Sequence, residues 1–315
     1  MPSDLSRQEK LSRKHRLTVV GVIGAFLAGV VFFWVTAPTS LPADLRLETI
    51  EPDVANGQKV FWASGCASCH AQKGAKGDNK LLLGGGHRLK TPFGVFVTPN
   101  ISPDVDTGIG SWNLQAFADS MILGQSPAGE HYYPAFPYSS YRGIQPQDLV
   151  DLFAYLKSLP AVSKQNEAHE LPLQFRWRRM IGGWKWMFLS ERKTNVENSD
   201  EQLSRGQYLV EVLGHCGECH TQRNFLGGLN ASKKLAGGLA AEGDGKIPNI
   251  TPHPKGIGDW SVKDITYYLE SGFTPDFDSV GGSMVSVQEN MSKLPEQDRI
   301  AIAKYLKSIP ALGSE

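Results

Sequence analysis

Cys66-Ala67-Ser68-Cys69-His70 is matched in pattern by Cys216-Gly217-Glu218-Cys219-His220, and these two C-x-x-C-H pentapeptides contain all four cysteines of the chain. The pattern is the covalent attachment signature of c-type haem, in which each thiol bonds one vinyl group and the histidine becomes a ligand of the iron. A single copy is also compatible with a dithiol redox pair or half of a zinc site. Two copies with no cysteine left over favour two covalently bound haem c groups. The predicted attachment residues are Cys66, Cys69, Cys216 and Cys219, and the predicted iron ligands are His70 and His220.

The surroundings of the pentapeptides also repeat within the 315 residues of the chain. Pro99-Asn100-Ile101 returns as Pro248-Asn249-Ile250, and Gly57-Gln58 returns as Gly206-Gln207. The run from Tyr155 to Ala161 returns from Tyr305 to Ala311, 150 residues later, which is also the separation of the two pentapeptides. So long a period predicts a duplicated domain rather than a solenoid. We expect domains at 51–162 and 203–315, joined by an interdomain helical linker at 163–202.

Each copy ends with the periodicity of a helix. Apolar residues recur at helical spacing before Pro160 and before Pro310, and these prolines end the two predicted helices. A short amphipathic helix also leads into each pentapeptide. Long stretches rich in Gly, Pro and Asn lie between the helices, which suits loops that wrap the edges of a haem. The chain is therefore predicted to be mainly α.

The N-terminus contains a predicted transmembrane segment. Residues 17–37 have no charged side chain, and 21 helical residues span about 31 Å, enough for the hydrocarbon core of a bilayer. Basic residues precede this segment, so we expect residues 1–16 to stay in the cytoplasm and the rest to cross the bacterial inner membrane as a single-pass protein. A cleaved signal peptide is the alternative, with Val35-Thr36-Ala37 as its cleavage site, but Pro38 directly after that site disfavours cleavage. In either case the haem domains, after a linker at 38–50, lie in the periplasm.

Several motifs together resemble a known family. They are Thr91-Pro92-Phe93-Gly94, Pro99-Asn100-Ile101, Gly110-Ser111-Trp112, Tyr133-Pro134-Ala135-Phe136-Pro137-Tyr138 and the segment from Gly214 to Thr221. In this order they resemble the multihaem cytochrome c subunits of periplasmic dehydrogenases, including those of membrane-bound alcohol dehydrogenases and the dihaem cytochromes beside molybdenum hydroxylases. The resemblance implies two tandem class I cytochrome c domains. It also implies a subunit without catalytic residues that takes electrons from a periplasmic dehydrogenase subunit and passes them to a respiratory-chain cytochrome or oxidase.

The same resemblance directs attention to the sixth iron ligands. Met284 lies downstream of His220 in a glycine-rich loop, where class I cytochromes carry the methionine that closes the distal side and raises the reduction potential. Met291 is the nearby competitor. In the first copy the family position is Phe136, which cannot bind iron. The first haem is therefore predicted either to use His131, five residues upstream in the same loop, or to be five-coordinate; Met121 is a weaker candidate.

Two further features bear on partners. In the linker, aromatic residues and methionines alternate with basic residues, namely Arg176, Arg178, Arg179 and Lys185. This pattern predicts a helix packed across both domains. As an extension, the arginines could pair with haem propionates or with an acidic partner. Lys+Arg and Asp+Glu are equal at 32 each, so no nucleic-acid partner is implied. A basic stretch from Lys73 to Lys90 after the first pentapeptide is a candidate docking rim for a redox partner.

Two functional classes follow from these patterns. The favoured one is an electron-transfer protein with two haems in series. The alternative is a haem enzyme or a gas-binding protein in which an open first haem binds a small molecule. The coordination of the first haem discriminates between them.

Overall fold

A computed structural model describes residues 3–42, 45–189, 200–240 and 245–313, with side chains from residue 13 onward. The described chain is mostly helical, in agreement with the predicted mainly α class. The α-helices are α1 Ser3–Val35, α2 Val54–Ala63, α3 Cys66–His70, α4 Leu114–Ala118, α5 Tyr138–Tyr141, α6 Pro146–Ser158, α7 Arg179–Phe188, α8 Glu201–Tyr208, α9 Gly217–His220, α10 Val262–Ser271, α11 Met284–Met291 and α12 Glu296–Ser308. Two π-helical turns follow α4 and α8 directly, at Asp119–Leu123 and Leu209–Leu213. Single 3₁₀ turns lie at Leu47–Thr49, Gly77–Leu81, Leu173–Phe175 and Ala231–Lys233.

Helix α1 carries the predicted membrane segment. Its part from Arg13 to Val35, 23 residues that include an 18-residue window with a mean hydropathy of 2.4, is long and apolar enough to cross a bilayer, and none of that window is buried in the protein. The helix ends at Val35, two residues before the predicted end of the span at Ala37. Thr36 still donates its backbone N–H to the carbonyl of Phe32, over 3.0 Å, and is buried against the folded part of the chain.

Two helix pairs form the framework of the folded part. Helix α2 crosses α6, and helix α8 crosses α12 in the same manner. A glycine allows each crossing, because an added Cβ at Gly57 would overlap the carbonyl oxygen of Asp151 and one at Gly206 would overlap that of Ala301. These are the two glycines that open the repeated Gly-Gln pairs. The repeat in the sequence thus has a steric cause, which is the close approach of two backbones.

The same two helices begin and pair through corresponding polar side chains. Asp53 accepts hydrogen bonds from the backbone of Ala55 and Asn56 at the start of α2, and Asp200 caps α8 in the same way. Across the first crossing, the Asn56 amide donates to the Asp148 carboxylate at 2.8 Å. Across the second, Arg205 forms two hydrogen bonds of 2.8 Å with Asp298. The amide of Asn56 in the first crossing is thus replaced by the guanidinium of Arg205 in the second. The hydrogen-bonding group changes, but the helix crossing is kept.

Two small antiparallel hairpins complete the secondary structure. Strand β1 Arg88–Thr91 pairs with β2 Gly94–Val97, and strand β3 Gly238–Leu239 pairs with β4 Lys246–Ile247. Each hairpin lies between a C-x-x-C-H pentapeptide and its Pro-Asn-Ile motif. The first is covered by a small cluster of Phe96, Tyr133 and Leu171 that stands apart from the main core.

The predicted linker is only partly helical. Helix α7 occupies its middle, after an extended run and the turn at Leu173–Phe175; residues 190–199, its C-terminal part, lie outside the described residues. Lys185 of α7 donates to the carbonyls of Leu123 and Gly124, while the Trp184 indole N–H donates to the carbonyl of Leu226 at 2.9 Å. The helix therefore touches segments that follow each of the two pentapeptides.

Candidate functional site

Each pentapeptide forms about one turn of helix. Helix α3 begins at Cys66 after Gly65, whose positive φ of 63° reverses the chain, and ends at His70. In the second pentapeptide the backbone N–H of His220 bonds to the carbonyl of Cys216 at 2.9 Å. In a helical turn, residues three and four apart share a face, so two cysteines and the following histidine come to one side. A local helical turn is what brings the attachment residues together.

The two motif histidines are held in the same way. The Nδ1 atom of His70 lies 2.8 Å from the carbonyl oxygen of Pro99, and that of His220 lies 2.8 Å from the carbonyl oxygen of Pro248. A carbonyl can only accept, so Nδ1 carries the hydrogen and the lone pair is left on Nε2. Burial lowers the pKa of both imidazoles, which keeps them neutral. A neutral imidazole whose outer nitrogen is fixed by a carbonyl is the usual arrangement of a metal-ligating histidine.

The leading cysteines lie in apolar surroundings. Burial, with a smaller contribution from the second cysteine of each motif, raises the pKa of Cys66 and of Cys216 to about 12. Thiols in such a setting stay protonated, whereas metal-binding and redox cysteines are activated as thiolates. The environment therefore suits thiols that end as neutral thioethers beside an apolar macrocycle.

Hydrogen bonds from neighbouring loops hold the backbone of the two motif histidines. The backbone N–H of Gly85 donates to the carbonyl of His70, and that of Gly237 donates to the carbonyl of His220, both over 2.8 Å. Asn100 and Asn249, which follow the two prolines, each donate a side-chain hydrogen bond of 2.7 Å to the segment after the last helix of their copy. The repeated Pro-Asn pair thus positions a histidine with its carbonyl and closes a loop with its amide.

The predicted distal residues differ in their surroundings. Met284 is the first residue of α11 and is half-buried, after Gly281 and Gly282, which have open space around them. Its competitor Met291, at the other end of α11, is buried; a Cβ placed on Gly214 would lie 3.3 Å from its Cε and 3.6 Å from the sulfur of Cys216. Phe136 packs among Tyr132, Tyr138 and Tyr141. The coordination role of Met284 stays a prediction.

His131 has a structural role that the sequence did not predict. It is buried, its Nε2 lies 3.0 Å from the carbonyl oxygen of Thr36, and its Nδ1 lies 3.1 Å from Nζ of Lys185. The Lys185 amine also donates to the carbonyls of Leu123 and Gly124, at 2.6 and 2.8 Å, and burial lowers its pKa to about 7. Nδ1 must therefore accept and Nε2 must donate, which is consistent with the lowered pKa of His131. Both ring nitrogens are engaged by the protein, so iron ligation by either nitrogen would require its hydrogen bond to break.

The basic stretch after the first pentapeptide is less free than its sequence indicates. Lys80 is paired with Glu289 at 2.5 Å, and Arg88 is paired with Glu167 and Glu170. Lys73, Lys76 and Lys90 are exposed. A docking rim for a redox partner is thus reduced to these three lysines.

Comparison with known proteins extends these observations to the whole chain. The sequence pattern of the family described as Cytochrome c matches residues 54–160. A protein of Cereibacter sphaeroides named "Diheme cytochrome c-type" is 47% identical over 300 residues, 95% of this chain and 99% of that protein. The chain belongs to the dihaem cytochrome c family. It accordingly binds two covalently attached haem c groups, and the histidine, cysteine and loop geometry described above fits them.

Other relatives are larger proteins. A nicotinate dehydrogenase subunit of Pseudomonas putida is 34% identical over 320 residues, 98% of this chain but 26% of that protein. "Fructose dehydrogenase cytochrome subunit" of Gluconobacter japonicus is 36% identical over 264 residues, 82% of this chain and 53% of that protein. The cytochrome therefore spans about a quarter and about half of these two relatives.

Contacts between the two haem-binding halves were missed from the sequence. Ser139 and Ser140 donate to the Glu218 carboxylate, at 2.6 and 3.1 Å, and Asn290 donates to the Ser68 hydroxyl at 2.7 Å. Glu218 and Ser68 are the corresponding residues between the two cysteines of each pentapeptide. Each half thus holds the pentapeptide of the other half, through a segment that follows its own distal position. Residues so far apart in the chain carry no local signal of their contact.

Proposed function

We propose that this cytochrome is a membrane-anchored periplasmic protein that transfers electrons from a dehydrogenase subunit to the respiratory chain. The observation that carries the proposal is the presence of two equivalent histidine–proline pairs, His70 with Pro99 and His220 with Pro248, whose pentapeptides face one shared interface. Relatives named as cytochrome subunits of fructose, gluconate and alcohol dehydrogenases support a dehydrogenase as the donor. The acceptor is proposed to be a respiratory-chain cytochrome or oxidase.

The residue assignments follow the two halves. Cys66 and Cys69 hold the first haem and Cys216 and Cys219 hold the second, in tandem domains at 51–162 and 203–315, with His70 and His220 as proximal ligands. Each haem supplies an iron that takes up and releases one electron. Met284 is proposed as the distal ligand of the second haem.

Retention of α1 is supported by its contacts beyond the apolar span. The carbonyl of Thr36 is bonded to His131, and its hydroxyl accepts from Nε of Arg179 at 3.0 Å. Cleavage after Ala37 would remove Thr36 and leave the buried His131 and the half-buried Arg179 without these partners, which is costly for the buried imidazole. With the basic residues before the span, this supports a single-pass inner-membrane protein whose haem domains lie in the periplasm.

A second candidate function is favoured by the first half. Phe136 replaces the distal methionine, and His131 is engaged on both nitrogens, so we expect a five-coordinate first haem. A vacant distal position can bind a small gas molecule. Gas binding at the first haem is therefore the alternative function.

Isolation of the tagged chain from its own host with a mild detergent tests the main proposal. We expect a dehydrogenase subunit to elute in the same peak and both haems to be reduced when that subunit's substrate is added. Two results together would favour gas binding instead. The peak would contain no dehydrogenase and its haems would not be reduced by added respiratory electron donors, and its spectrum would shift on exposure to carbon monoxide.

A further inference from the structure

Helix α7 presents an apolar face that no other part of the described chain covers. Met180 and Met187 lie seven positions apart on one line of the helix and are 49% and 54% exposed. Two exposed tryptophans lie near this line, Trp177 two residues before α7 and Trp186 directly before Met187, and they are 53% and 76% exposed. We refer to these four residues as the α7 face. Large apolar side chains that lie together on a surface mark a site of interaction.

The opposite side of α7 is fixed to the protein and to the end of α1. Gly182 approaches Thr36 so closely that an added Cβ would lie 2.6 Å from the Thr36 carbonyl oxygen and 2.9 Å from Nε2 of His131. Lys185 lies one turn further along the helix and is buried. The helix is therefore held in place by its small and polar side, which leaves its apolar face outward.

The α7 face continues directly onto the apolar surface of α1. The Trp177 ring lies 5.5 Å from that of Phe32 and 6.4 Å from that of Phe33. These two residues precede the end of α1 at Val35, and with a rise of about 1.5 Å per residue they lie about 3–5 Å inside that end. Trp177 thus reaches the level at which α1 leaves the hydrocarbon core.

The charge and composition of α7 and of the residues directly before it match the membrane–water interface. Tryptophan is enriched at the membrane–water interface, and the long arginine side chain can keep its charged head in water there while its stem covers apolar surface. Arg179 lies over the Phe33 ring at 5.4 Å while it bonds to Thr36. Arg176 and Arg178 stand beside Trp177 in the chain. Segments that lie in the interface plane combine basic residues with an outward apolar face that contains Trp, and α7 with the arginines at its start has both.

From these contacts we propose that the α7 face lies in the lipid headgroup layer of the bilayer that α1 spans, so that the folded part is docked on the membrane and not only tethered to it. Phe225, 87% exposed, directly precedes Leu226, whose carbonyl accepts the hydrogen bond from Trp184. The proposal rests on the proposed membrane anchoring by α1. It fixes which side of the folded part faces the lipid.

Site-directed spin labelling of the full holoprotein tests this arrangement. All four native cysteines are predicted to be in thioether bonds, so an introduced cysteine is the one free thiol. Two variants lie on the α7 face, Met180→Cys and Met187→Cys, and Gly24→Cys lies in the middle of the apolar span. The aqueous reference is Lys263→Cys, at an exposed position of α10. Each variant is placed in nanodiscs of phosphatidylethanolamine and phosphatidylglycerol. A full complement of two haems per chain verifies that it has folded.

The readout is the collision rate of the label with oxygen divided by that with a water-soluble nickel chelate. We expect the ratio at Met180 and Met187 to exceed that at Lys263 severalfold and to stay below that at Gly24. A ratio at either methionine equal to that at Lys263, with a high ratio at Gly24, would overturn the docking proposal while the anchor stands, and would assign the face to a protein partner. A low ratio at Gly24 would overturn the anchor and the docking together.

Discussion

The two halves of this cytochrome share the same contacts around the motif histidines, which are the predicted proximal ligands, and differ at the predicted distal positions. Both fix the motif histidine through a proline carbonyl at 2.8 Å and cross their two framework helices at a glycine. At its predicted distal position the first half has Phe136, and five residues before it a buried His131 that is bonded to the end of α1. The second half has Met284 at the start of α11 after two glycines.

The contacts that the two halves share serve haem attachment, whereas the residues that differ tune the properties of each haem. The proximal imidazole must present Nε2 to the iron in either half, so its orienting carbonyl and the loop behind it are kept. The distal position sets potential and ligand access and can differ between two haems with different roles. In the first half the corresponding loop is bonded to Thr36 at the end of α1, the helix that we propose as the membrane anchor.

Removal of the cysteines of one motif should have the largest effect. We expect Cys66→Ala with Cys69→Ala to lower the haem content from two per chain to one, with the remaining haem unchanged, because each motif holds its own group. Mass spectrometry of the intact protein measures the loss. The matched variant Cys216→Ala with Cys219→Ala should give the same count, and retention of two haems in either would contradict the assignment.

Exchange of the distal residues should reverse the difference between the halves. We expect Met284→Ala to make the second haem high-spin and to lower its potential by roughly 0.1 V or more, since axial ligands set haem potentials over a range of about 0.8 V. Phe136→Met should make the first haem resemble the unaltered second one. Spectra and redox titrations of both variants measure these shifts.

Met291→Leu is the control for this exchange because it keeps the buried volume. A second haem that stays low-spin in Met284→Ala and becomes high-spin in Met291→Leu would assign the ligand to Met291.

The sequence predicted the local helices and did not predict the long-range contacts near the predicted distal positions. The pentapeptides, the Pro-Asn pairs and the terminal helices are local patterns, and α6 and α12 end two residues before Pro160 and Pro310 as expected. The bond of His131 to Thr36 joins residues 95 apart, and that of Asn290 to Ser68 joins residues 222 apart. Such contacts depend on how finished elements pack, and no local pattern marks them. The short hairpins were missed because their strands have only two to four residues.

Glycine substitution at the helix crossings should affect both halves alike. We expect Gly57→Ala and Gly206→Ala each to lower the free energy of unfolding by about 1–3 kcal/mol or more, because the added methyl group overlaps a backbone carbonyl. Denaturant titration followed by circular dichroism measures the change. Gly245→Ala is the control, since among the described residues its Cβ would meet only Ala240, at 4.0 Å. A loss in one variant alone would show that the two crossings are not equivalent.

The smallest effect is expected at His131, where two roles give opposite spectra. If His131 binds iron, His131→Gln turns a low-spin first haem high-spin. If it joins Thr36 to Lys185, as its two hydrogen bonds indicate, the spectrum is unchanged and stability falls by about 1 kcal/mol, the usual net contribution of one hydrogen bond. The glutamine amide can still donate to Thr36, whereas His131→Ala loses both hydrogen bonds and should lose about twice as much stability.

Lys185→Met separates the two roles further, because a methionine leaves the imidazole free to turn. A first haem that gains a sixth ligand in that variant would mean that Lys185 holds His131 away from the iron.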